Sequence, residues 1–170
     1  CRGLWQRSGI ARESIAAVAL TTQRGTVVNV DENGQALRPA IVWLDQRRTS
    51  GLPPVSGVWG VLFAAAGASN TVAYLQAEAE ANWIRTHQPD IWEKTHKFLF
   101  LSGFLTHRLV GEYVDSTGCT VGFVPFDYKT QAWAKPSDMK WKMFPMNPSL
   151  LPALVRPSEM LGYITKQAST

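Results

Sequence analysis

Apolar residues in this chain come in short blocks cut by glycine, proline and polar clusters, and the blocks change period along the chain. Arg2 to Ser8 reads as the end of a helix that breaks at Gly9. Ile15-Ala16-Ala17-Val18-Ala19-Leu20 is a continuous apolar run, the pattern of a strand buried on both faces. Gly25 ends that unit. Val27, Val28 and Val30 predict a short strand, and Asp31-Glu32-Asn33-Gly34 predicts a tight turn, because Asn-Gly accepts positive φ. Pro39 precedes a third strand, Ala40 to Leu44. Gly51 to Ser56 is a proline-rich loop, and the stretch through Ser69 has no clear period, with room for one short helix.

From Thr71 the period becomes helical, with Leu75, Ala79, Asn82 and Trp83 on one face and Glu78 and Glu80 elsewhere. Pro89-Asp90 starts a short helix that ends near Lys94. Lys97 to Leu101 reads as a buried strand. Ser102 is placed to cap a helix that runs through Leu109 and stops at Gly111. Residues 113–128 read as strands and turns, Asp127 to Thr130 as a turn ahead of Trp133, and residues 135–160 as a helix and loops. Buried strands mixed with helices give an α/β class.

The chain has 170 residues, 45% of them hydrophobic and 18% charged, which fits a folded core and excludes a largely disordered chain. Its formal charge of +4 is dispersed, with Arg47-Arg48 the densest basic pair. Dispersed charge lacks the stripe a nucleic-acid binder needs, and suits a small anionic partner such as a nucleotide. Cys1 and Cys119 form no metal-ligand spacing and no disulfide framework, which points to a reduced, cytoplasmic setting. No apolar run approaches the roughly 18 residues of a membrane span. The chain opens at Cys1 in mid-pattern and stops after Ile164 to Thr170 without a closing element, so it reads as an internal segment of a longer protein.

Two motifs carry candidate chemistry. Thr22-Gln23-Arg24-Gly25 is either a strand-end loop facing a polyol or a hairpin corner with a solvated arginine. In the first case Arg24 donates a fork of hydrogen bonds and Gly25 lets backbone approach a ligand. Trp43-x-Asp45-x-Arg47 puts three functional side chains on one face if the strand persists to Arg47. An indole can then cover a sugar C–H face while Asp45 accepts from hydroxyls and Arg47 orients Asp45 or binds sugar. The plainer alternative is a buried tryptophan beside a surface ion pair of little energetic weight. Asp115-Ser116 suits an Asx-type turn or a ligand hydroxyl. His87, His96 and His107 have no second ligand at metal spacing, and Glu78 and Glu80 read as a solvated face. There is no Gly-x-Ser-x-Gly elbow and no Walker-type phosphate loop.

Taken in order, the segments resemble the N-terminal domain of the FGGY carbohydrate kinases, the family of glycerol kinase, xylulokinase and ribulokinase. IAAVALTTQRGTVVNVDENG resembles the family's strand, substrate loop and hairpin, and LRPAIVWLDQRR its Trp-x-Asp-x-Arg segment. LQAEAEANWIRTHQPDIWEKTHKFLFLSGFLTHRLVGEYVDS is similar to a helix and strand–helix unit that ends in "LTGE" and an aspartate, here with Val110 for Thr. GFVPFDYKTQAW and LLPALVRPSEMLGYIT match later segments.

The resemblance implies the ribonuclease H-like α/β fold of the actin and sugar kinase superfamily, in which two domains hold ATP and sugar between them. It implies transfer of the γ-phosphoryl group of Mg·ATP to a hydroxyl of a ketose or polyol. It assigns Gln23, Arg24, Gly25, Trp43, Asp45 and Arg47 to the substrate. No catalytic residue falls in the chain, since the family's Asp-x-Gly-Thr phosphate loop and catalytic aspartate are absent from it. ATP and Mg2+ are therefore expected in the longer protein, with neither bound by this segment alone and no activity in isolation. Glycerol kinases carry Arg-Glu in the substrate loop and xylulokinases His-Gly. Arg24-Gly25 matches one position of each, and losing Glu favours a larger substrate such as a pentulose. The remaining alternatives are a non-catalytic sugar-binding or scaffold protein with this fold, and a basic module using exposed Trp and Arg. A homo-oligomer is compatible with all of them.

Overall fold

The computed structural model describes residues 2–169, so Cys1 and Thr170 lie outside the described residues. Strand β1 (Val27–Val30) pairs antiparallel with β2 (Lys97–Phe100), with Val27 opposite Phe100 and Val30 opposite Lys97. The other edge of β1 takes Ile41 through two backbone hydrogen bonds of 2.9 and 3.1 Å, and Ala36 through a bridge to Val30. Alternation along β1 then divides the core. Val27 joins Ile41, Ile84, Phe98, Phe100 and Phe126 on one side, whereas Val28 and Val30 meet Leu99, Phe104 and Tyr113 on the other.

Helix α1 (Arg2–Ser8) precedes this unit. Helices α2 (Gly57–Ala65), α3 (Ser69–Glu78), α4 (Glu80–His87) and α5 (Pro89–Lys94) lie between β1 and β2. Helix α6 (Leu101–Val110) follows β2 directly and ends at Gly111, whose φ of 81° is the left-handed stop expected of glycine. Strand β3 (Val114–Ser116) pairs in parallel with β6 (Ala153–Val155). Between them, β4 (Phe126–Asp127) and β5 (Ala132–Trp133) form a hairpin, followed by the short helix α7 (Lys140–Met143). Helix α8 (Lys166–Ser169) completes the described residues.

Several expectations need correction. Ile15 to Leu20 forms no strand, and its Ile15 and Val18 are 44% and 62% exposed. Apolar composition alone does not make a strand, and among the described residues no ladder partner pairs with this run. The third strand shrinks to the bridge at Ile41. Asp45 N–H then donates to the Val42 carbonyl at 2.9 Å, so the chain turns instead of running extended to Arg47. Leu101 begins α6 instead of ending β2. Ser102 is not its cap: Phe100 holds the cap position, and the Ser102 hydroxyl donates to Asp115 Oδ2 at 2.8 Å.

The helical stretch from Thr71 through Trp83 is two helices. They are broken at Ala79, which is extended with φ −68° and ψ 118°. Asn82 Nδ2 stabilises the break by donating to the Gln76 carbonyl at 2.9 Å, one of the acceptors left over at the end of α3. The stretch before Ser69 contains the regular helix α2, all apolar, with no buried residue.

Candidate functional site

The pairing of Val27 with Ile41 fixes what comes next on each strand. Two residues back and two residues on, an antiparallel register sets Gly25 opposite Trp43. The backbone agrees: a Cβ on Gly25 would stand 3.4 Å from the Trp43 Cβ. Gly25 also has a φ of +71°, a conformation glycine adopts without strain. The loop of residues 22–25 and the Trp-x-Asp-x-Arg segment are thus side by side. Trp43 is 59% exposed, so its indole is an open apolar wall and not a buried anchor.

The turn at Val42 to Asp45 redirects the next residues. Asp45 Oδ1 accepts from the Arg47 backbone N–H at 3.0 Å and from Arg47 Nε at 2.7 Å. The Arg47 guanidinium lies 4.4 Å from the centre of the Trp83 ring on α4, within cation–π range. Trp83 stacks in turn on His87, with ring centres 4.8 Å apart. Arg38 approaches the same indole at 6.0 Å, and its Nε donates to Gln88 Oε1 at 2.7 Å. Arg48 pairs with Glu78, and Thr49 N–H ties the segment to the Ala77 carbonyl at 3.0 Å.

Charge in this cluster is polarised. The Arg47 side-chain hydrogen bond holds the Asp45 carboxyl below the usual carboxylate range, against a smaller desolvation effect. Asp45 is therefore a fixed anion at neutral pH, suited to accept from hydroxyls and ill-suited to remove a proton. Glu80, at the start of α4, behaves oppositely: burial first, then the charges of Glu78 and Asp45, push it up to about 7. Glu80 is half-buried beside the break at Ala79, which departs from the solvated face expected of it.

Not every candidate joins the cluster. Gln23 Nε2 donates to Thr26 Oγ1 at 2.9 Å, which binds the loop to the foot of β1. Arg24 is exposed and makes no polar contact with the others among the described residues. Two concavities of about 520 and 170 Å³ lie elsewhere, and neither is lined by Gln23, Arg24, Gly25, Trp43, Asp45 or Arg47. Asp115 is 1% exposed and acts within the fold. It accepts from Ser102 Oγ and, at 2.7 Å, from its following amide, while burial raises its pKa. Arg38, Glu80 and Trp83 were not singled out by sequence as members of the site. Only the helical face holding Trp83 hinted at one of them.

A model of the FGGY family of carbohydrate kinases, N-terminal domain, matches residues 1–170. The chain belongs to this family. It is 28% identical over 166 residues to a glycerol kinase of Thermococcus gammatolerans, covering 95% of this chain and 33% of that protein. It is 27% identical to a xylulose kinase of Streptomyces rubiginosus, covering 96% of this chain and 34% of the relative. The chain thus spans about a third of the length of these relatives. Among solved structures, a xyloylose kinase from Brucella ovis superposes with a TM-score of 0.73 at 19% identity, covering 98% of this chain and 34% of that one. The α/β fold is that of the sugar kinases. Among the described residues no helix is long and apolar enough to cross a membrane.

Proposed function

We propose that this chain forms the sugar-side wall of the N-terminal domain of a longer, ATP-dependent carbohydrate kinase that phosphorylates a hydroxyl of a ketose or polyol. The observation that carries this reading is the contact of Gly25 with Trp43, which sets the substrate loop beside an ionised Asp45. Trp43 offers an exposed indole face for sugar C–H groups. Asp45 accepts from sugar hydroxyls with Oδ2, the oxygen that Arg47 leaves free, and Arg47, braced on Trp83, keeps that carboxylate charged and oriented. Arg24 and Gln23 complete the substrate side of the loop. Gly25 leaves room where a side chain would narrow the entrance, which favours a pentulose or similar polyol over glycerol.

The nucleotide and Mg2+ supply the transferred phosphoryl group and its charge neutralisation. Among the described residues no three His, Cys, Asp or Glu side chains converge to hold a metal ion, so no residue of this chain is assigned to it. The chain's part is to bind and orient the accepting hydroxyl. A coupled assay of ADP release with the complete gene product, over a panel of ketoses and polyols, tests this reading. Turnover stimulated by at least one pentulose or polyol is expected. Absence of any sugar-dependent turnover would instead favour a non-catalytic sugar-binding role.

A further inference from the structure

The smaller concavity, about 170 Å³, lies where the proline-rich loop crosses the helices, away from the Trp43–Asp45 cluster. Four separate elements contribute donors to its lining: Ser56 from the loop ahead of α2, Gln76 from α3, Arg85 from α4 and Lys142 from α7. No carboxylate lines it, and Pro53 and Pro54 form part of an apolar wall. Gln76, 6% exposed, brings a side-chain amide to this lining. Ser56 stands at the N-cap of α2 without making a side-chain cap bond.

Arg85 donates from Nη1 to the Pro145 carbonyl at 2.8 Å and from Nη2 to Asn82 Oδ1 at 3.4 Å. Three of its five N–H groups then have no partner among the described residues. It has no carboxylate partner among the described residues, and burial alone lowers its pKa. Lys142 is likewise absent from the ion pairs of the described residues, which join Arg47 to Asp45, Arg48 to Glu78 and Lys140 to Asp138. A half-buried guanidinium and an exposed ammonium that border one cavity, with no carboxylate partner among the described residues, form a cationic lining that an anion would complement.

We propose that this cavity is a binding site for a phosphate-type oxyanion, held by Arg85, Lys142, Gln76 and Ser56. Two cations match the charge of a phosphate at neutral pH better than that of a single carboxylate, and donors arriving from four elements suit its several acceptor oxygens. The site is independent of the sugar reading, since it shares no residue with that cluster. Its ligand is either free phosphate or the phosphate of a small monoester. The wall formed by Pro53 and Pro54 would add contacts to the ester group.

Titration calorimetry of the full chain with inorganic phosphate, methyl phosphate and acetate, at fixed ionic strength, tests it. Saturable phosphate binding is expected. Lys142→Ala, an exposed position, should weaken it about tenfold, as loss of one charge-assisted contact implies. Arg85→Lys keeps the charge and loses the fork, and should weaken it similarly. Lys129→Ala, at the β4–β5 turn, should leave it unchanged. Tighter binding of methyl phosphate assigns a monoester, and equal or weaker binding assigns the free ion. Non-saturable binding, acetate binding tighter than phosphate, or equal losses in Lys129→Ala and Lys142→Ala would overturn the proposal.

Discussion

Asp45 and Glu80 belong to one cluster and titrate in opposite directions. Asp45 is held low by Arg47, so its contribution to stability is present above its unfolded pKa and fades as pH falls through the lowered folded value. Glu80 rises from 4.5 to about 7. The folded chain then binds more protons than the unfolded one between those values, so stability falls as pH rises through that window and is flat above it. The shift corresponds to about 3 kcal/mol. Glu80→Gln keeps the shape and removes the charge. We expect the variant to lose that share of the decline between pH 5 and 8, and to exceed the parent in stability at pH 8 by about 2–3 kcal/mol. Asp115, also raised by burial, keeps its own contribution in both proteins. Urea melts of the two proteins at both pH values check this. Parallel pH slopes would show that Glu80 is solvated after all. Sequence could not show this shift, since the burial of Glu80 depends on a helix break and on Asp45, which arrives from a distant turn.

At the scale of elements, the local signals were legible where they are self-contained. Val27, Val28 and Val30 form a short apolar block followed by Asn33-Gly34. The turn forms as expected: Asp31 Oδ1 accepts from the Asn33 and Gln35 amides at 2.9 and 2.8 Å, and Gly34 takes a φ of +70°. Gly111 likewise ends α6. Signals that depend on a partner were not legible. The apolar run Ile15 to Leu20 says that burial is favourable and not what would cover it. Ser102 looks like a cap in sequence, while α6 receives its carboxylate from Asp115 on β3. The break at Ala79 rests on Asn82, whose amide spans from the Gln76 carbonyl to the Met143 carbonyl at 3.1 Å.

Two predictions belong to this scale. Asn82→Ala strands two buried carbonyls and should destabilise the fold by about 2–3 kcal/mol, measured by chemical denaturation. A loss under 0.5 kcal/mol, the range of an ordinary surface site, would contradict it. Gly34→Ala should cost more than Gly111→Ala. Both positions have positive φ, which costs about 1 kcal/mol for alanine. At Gly34, however, the new Cβ would also stand 2.5 Å from His107 Nε2, on a ring stacked 4.0 Å from Tyr113. At Gly111 it meets only Thr165 Cγ2, at 3.4 Å. Paired thermal melts rank the two variants, and the reverse order would mean that His107 moves freely.

At the scale of the molecule, one β1-centred unit brings the loop of residues 22–25 and an acidic turn together, and α4 braces the turn through Trp83. The family resemblance was readable from the order of segments, although no single motif decided it. The way Arg47 reaches Trp83 was not readable, because the turn at Val42 to Asp45 replaces the straight strand that alternation implied. The central claim is that the ionised Asp45 binds sugar hydroxyls in the longer kinase. Its most direct test is steady-state sugar kinetics of the complete protein and its Asp45→Ala variant at saturating ATP, with thermal stability followed in parallel. Loss of a charged acceptor for bound hydroxyls should cost roughly 1–3 kcal/mol. That appears as a fall in kcat/KM for sugar on the order of tenfold to a hundredfold, with little change in KM for ATP. Unchanged sugar kinetics, with a stability shift within about 0.5 kcal/mol, would reduce Asp45 to a surface partner of Arg47 and contradict the account.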